Sequence, residues 1–94
     1  MKAGEIILNI AVNLGRLSRW VSEGKFSRTR PFLEETEDFI SKLESVGYAK
    51  KFEKTFKAFK ASFKKLKKSK KLDNVWAEDA LTWANILTHR AKFA

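Results

Sequence analysis

The sequence predicts an all-α protein, an antiparallel up-down four-helix bundle, and three observations carry that expectation. Apolar residues recur at alternating spacings of three and four in four separate stretches, the period of a helix with one buried face. One proline and four glycines in 94 residues are too little punctuation for a β-protein, which needs a turn about every 8–12 residues. The gaps between the stretches are short, as they are between adjacent helices of a bundle. A chain of this length makes one domain, residues 1–94, and its 44% hydrophobic and 13% aromatic content is enough for a core.

The first helix is expected over about residues 3–23. Ile7, Ile10, Leu14, Leu17 and Val21 form its stripe, Ile6 and Trp20 widen it, and Gly24 supplies a left-handed cap. Gly15 interrupts the pattern at up to ~1 kcal/mol against alanine. Either a neighbouring helix approaches closely there or the position simply tolerates glycine. In the following loop Phe26 is expected to tuck back onto the bundle.

The second helix is expected over about residues 30–46, capped by Ser27 or Thr29, with Pro31 in the first turn, where a missing N–H costs little. Phe32, Leu33, Thr36, Phe39, Ile40, Leu43 and Val46 give its buried side, and Gly47 stops it. Glu34, Glu35, Glu37 and Asp38 cluster near its start. The first expectation is that they answer the helix dipole, the second that they meet lysines of another copy, and the third a metal or acid–base site.

The third helix, about 48–71, dominates the chain. Phe52, Phe56, Phe59, Phe63 and Leu66 form one stripe, and nearly everything off it is lysine. Tyr48 to Leu72 holds eleven lysines and one acid, Glu53, a net of +10, while the other nine basic and ten acidic residues nearly cancel. Thr55, Ser62 and Ser69 make one flank small enough for close packing. The other flank, Glu53, Lys60 and Lys67, is expected to face water with the back of the helix. The fourth helix, about 74–91, is capped by Asp73 or Asn74 and buries Trp76, Ala80, Trp83 and Leu87, with Ala84 and Ile86 beside them.

An ordinary surface helix alternates Glu and Lys; here six lysine pairs, from Lys50–Lys54 to Lys67–Lys71, stand three or four apart. At about 0.2–0.5 kcal/mol each they oppose the helix by roughly 1–3 kcal/mol, which a polyanion would relieve while releasing its own counterions. The alternative is a solvated surface. Lysine without arginine suits phosphate contact rather than base readout, so binding would be steeply salt-dependent and nearly sequence-independent. The expected contacts are Lys50, Lys54, Lys57, Lys60, Lys64, Lys65, Lys67, Lys68 and Lys71. Arg16, Arg19, Arg28 and Arg30 are a candidate second grip or scattered surface charge, with Arg16 or Arg19 paired to Glu23.

The partner is then the backbone of DNA or RNA, with larger protein subunits or further copies of the chain beside it. The alternative function is a homo-oligomerising bundle or an adaptor for an acidic protein. At the level of fold alone, the chain is similar to small basic helical subunits of larger nucleoprotein machines. Examples are those of CRISPR effector complexes and the bundle proteins that assist reverse transcriptases.

Taken alone, the Phe–Lys segment also resembles a cationic membrane-surface or calmodulin-target helix, but both need the Phe face free, and the core needs it buried. KKLKKSKK would serve as a nuclear-import signal in a eukaryote. Trp20, Trp76 and Trp83 lie on apolar stripes and are assigned to the core rather than to base stacking, which leaves Tyr48 as the exposed aromatic. His89 has no base–nucleophile partner, no phosphate loop or hydrolase motif is present, and no cysteine provides a thiolate. No enzyme activity, cofactor, metal or small-molecule substrate is expected. The N-terminus is neither a signal peptide nor a span, so a soluble cytoplasmic protein is the default.

Overall fold

The computed structural model describes all 94 residues as four α-helices and a closing turn. The helices are α1 (Ala3–Ser22), α2 (Thr29–Val46), α3 (Lys50–Lys68) and α4 (Asn74–Arg90), followed by the 3-10 turn Ala91–Phe93. All four expected helices are present, and 22 buried apolar residues join them in one core. No helix is long and apolar enough to cross a membrane.

The wide apolar stripe of α1 makes it the central packing element, with Ile6, Ile7, Ile10, Leu14 and Leu17 almost wholly buried. Its C-terminus closes as a Schellman motif. Gly24 takes φ 73°, its N–H donates to the Val21 carbonyl, and the Lys25 N–H donates to that of Trp20. On α4, small Ala77, Ala80 and Ala84 are buried, so the α1 and α4 backbones come close. Ser18 Oγ donates to the Ala77 carbonyl at 2.7 Å, and a Cβ on Gly4 would stand 3.3 Å from the Ala91 carbonyl oxygen. The close approach to a glycine is therefore at Gly4. Of the two readings of Gly15, simple tolerance holds, since nothing lies within 4 Å of a Cβ there.

By contrast α3 stands off from its neighbours by the depth of its rings, since Phe52, Phe56, Phe59 and Phe63 fill the space between backbones. Phe59 lies 5.5 Å from Trp83 of α4, and the Trp76 indole N–H donates to the Leu66 carbonyl at 3.0 Å.

Several local expectations are corrected. Neither Ser27 nor Thr29 caps α2: Arg28 holds the cap position without a side-chain bond, and Thr29 is buried with its hydroxyl unpartnered. Asp73 does cap α4, its Oδ1 accepting from the Trp76 N–H at 3.0 Å. The third helix is shorter than 48–71. It starts only at Lys50, after Gly47 at φ 89° and ψ 168°, and Tyr48 packs edge-on against Phe56 at 4.9 Å instead of lying exposed. Its end comes at Lys68, two residues after Leu66, its last buried side chain. Phe26 is 48% exposed and stays outside the core, bordering a groove with Leu33 and Leu72 instead of packing into it.

Candidate nucleic-acid interface

Five apolar side chains anchor α3, namely Phe52, Phe56, Phe59, Phe63 and Leu66, and all are buried. At 100° per residue that orients Lys50, Lys54, Lys57, Lys64 and Lys68 along the opposite side, with Ala61 among them, and all are exposed. From Lys50 to Lys68 this ridge runs about 27 Å at ~1.5 Å per residue. Lys57 reaches back to Glu53 at 3.8 Å, the favourable i,i+4 order. Lys50, Lys54, Lys64, Lys65 and Lys68 have no carboxylate within ion-pair distance.

The flank expected in water is instead turned to α2. Lys60 Nζ donates to Glu44 Oε2 at 3.0 Å and lies 4.6 Å from the centre of the Phe56 ring; Lys67 Nζ donates to Glu37 Oε1. Lys71, beyond the helix, sits 3.8 Å from Asp73. Of the six like-charge pairs read from the sequence, three contain one of the internally paired lysines Lys57, Lys60, Lys67 and Lys71, and two more, Lys57–Lys60 and Lys67–Lys71, join two of them. The self-repulsion of α3 is thus smaller than the bare sequence implies.

These contacts also place the acid cluster. The first turn of α2 contains no acid, so the cluster does not answer its dipole. Glu37 goes to Lys67, Glu34 to Arg30 at 3.8 Å, and Glu35 accepts from Asn13 Nδ2 of α1 at 3.2 Å. No group of three or more acids or histidines converges as a metal site would require. Glu37, Asp38 and Glu44 border the cleft between α2 and α3 together with Lys60, Lys64 and Lys67, so that side of the ridge is mixed in charge.

The four arginines do not form one patch. Arg30 joins the α3 end of the ridge, lining the same cleft as Lys64, Lys67 and Lys68. Arg28 lies over the Trp20 ring at 5.5 Å. Arg16 and Arg19 are exposed on α1 and make no ion pair; Glu23 pairs with Lys25 instead.

On the α4 side, Lys51, Lys54 and Arg90 line a shallow groove floored by Thr55, Trp83 and Ile86. Lys51 and Arg90 were not among the expected contacts. Lys51 was readable from its place beside Lys50, whereas Arg90 needs the knowledge that the end of α4 passes the start of α3. Farther along, Lys65 lines a second groove with Ser62, Trp76, Asp79 and half-buried Trp83. The small flank of α3 faces α4, but where close packing was expected it leaves grooves rather than a closed seam. His89 is exposed in the last turn of α4.

Compared with known protein families, curated proteins and solved structures, the chain has no significant match in any of the three.

Proposed function

We propose that this protein is a non-catalytic cytoplasmic subunit that binds the backbone of DNA or RNA with little regard to sequence, within a larger nucleoprotein complex. Lysines exposed along α3 without a carboxylate in reach, fixed outward by buried phenylalanines, carry the proposal. The nucleic acid lies along Lys50, Lys54, Lys57, Lys64, Lys65 and Lys68, on the side of Lys51 and Arg90 and away from Glu37 and Glu44. Arg30 extends the track at its far end. Lys60 and Lys67 brace α3 against α2. The scaffold is an up-down antiparallel bundle of a single domain, an order supported by the pairings Trp20–Phe32, Glu44–Lys60, Glu37–Lys67, Phe59–Trp83 and Ser18–Ala77.

Fluorescence anisotropy with single- and double-stranded DNA and RNA at several salt concentrations tests this. For about five to seven phosphates neutralised on a duplex, the log–log slope of affinity against salt is roughly −4.5 to −6. Changing Lys50, Lys54, Lys64 and Lys68 to Glu weakens all sequences alike. A flat salt response, or loss of a single sequence only, would refute backbone binding.

A further inference from the structure

Across the bundle from the lysine ridge lies α1. Both α1 and α3 flank α2 and α4, as the Asn13–Glu35, Ser18–Ala77, Lys60–Glu44 and Phe59–Trp83 contacts record. From Ile6 to Gly15 this helix has no charged residue, although one side of it faces water. A surface helix ordinarily carries charge on that side. Here the outward stripe is Glu5, Leu8, Val12, Gly15 and Arg19, at spacings of three and four. Leu8 and Val12 are 44% and 50% exposed, and on neighbouring α4 Leu81 is 47% exposed. The Ser18–Ala77 bond and the approach of Ala91 to Gly4 set the height of α4 against α1, which puts Leu81 at about the level of Gly15.

The stripe reads acid, knob, centre, hollow, base. Gly15 supplies the hollow, since the space where its Cβ would stand is open. Glu5 and Arg19 are both exposed and neither makes an ion pair within the chain. Turned about a two-fold axis through Val12, the stripe complements itself. Glu5 meets Arg19 of the second copy at each end, Leu8 comes level with Arg16 of the second copy, one residue from the hollow at Gly15, and Val12 meets its own counterpart on the axis. We infer that a second copy of this chain docks here, α1 against α1 and running in opposite directions, in an isologous dimer. The charge arrangement favours this occupant over others. Its ends are matched in sign, and the ridges of the two copies point away from each other, so the +9 of each chain does not meet at the contact.

Sedimentation equilibrium of the nuclease-treated, nucleic-acid-free full chain tests the inference independently of any nucleic-acid binding. The expected result is a monomer–dimer equilibrium. Val12→Arg abolishes it while leaving the helical circular dichroism unchanged, because Val12 is half exposed. Glu5→Arg and Arg19→Glu each weaken the dimer at least tenfold, and an equimolar mixture of the two variants restores it, since both end pairs again join opposite charges. Because the chain has no cysteine, Val12→Cys gives a lone thiol on the axis. Oxidation with diamide then couples two such thiols into one disulfide-linked dimer, diamide taking up the two protons and two electrons, whereas Lys54→Cys, remote from the axis, gives no disulfide-linked dimer. A chain monomeric at every concentration, a dimer indifferent to Val12→Arg, a mixture that does not recover, or failure of Val12→Cys to couple would each overturn the inference.

Discussion

Gly47 combines φ 89° with ψ 168°, a region open almost only to glycine. Gly47→Ala therefore strains the turn even though space is free around it, and the expected loss is about 1–3 kcal/mol in urea unfolding. A loss within ~0.3 kcal/mol, the scatter of such measurements, would mean that the turn relaxes to another conformation. Lys60 and Lys67 separate bracing from binding at the same scale. Their partners are partly exposed, so Lys60→Ala costs only a few tenths of a kcal/mol to about 1 kcal/mol in stability. It changes nucleic-acid affinity less than Lys64→Ala does, as anisotropy titrations would record; equal effects would place Lys60 in the contact. Spacing alone could not have distinguished these lysines, because what differs is the acid opposite each on another helix.

At the scale of the element, what was readable depended on whether the cause was local. All four helices follow from their stripes, the Gly24 cap from glycine chemistry, and the Asp73 cap from an aspartate just before an apolar run. The misplacements have a tertiary cause. Tyr48 left the helix because its ring packs on Phe52 and Phe56, and α3 stops at Lys68 because Leu66 is its last anchor. The acids of α2 looked like a dipole response in one dimension, yet they are distributed to α1, α3 and Arg30 in three. The lysine ridge was legible from composition and period together, whereas its two unlike borders, acids toward α2 and grooves toward α4, were not.

On the scale of the whole molecule, the lysine ridge of α3 and the uncharged stripe of α1 lie on opposite sides, so the proposed binding along α3 and the proposed pairing through α1 share no residues. The phenylalanines that project the lysines also hold the α3 backbone away from its neighbours, while α1 and α4 close tightly over alanines and Gly4. Thick rings provide few backbone-to-backbone approaches, and local opening is easiest where such approaches are fewest. Amide protons of α3 should accordingly trade for deuterium sooner than those of α1, and an oligonucleotide should slow that trade by favouring the closed form. Hydrogen-exchange mass spectrometry reads both effects, and α3 protection equal to that of α1 would contradict the first. The same rings that present the charge thus set how readily its helix breathes.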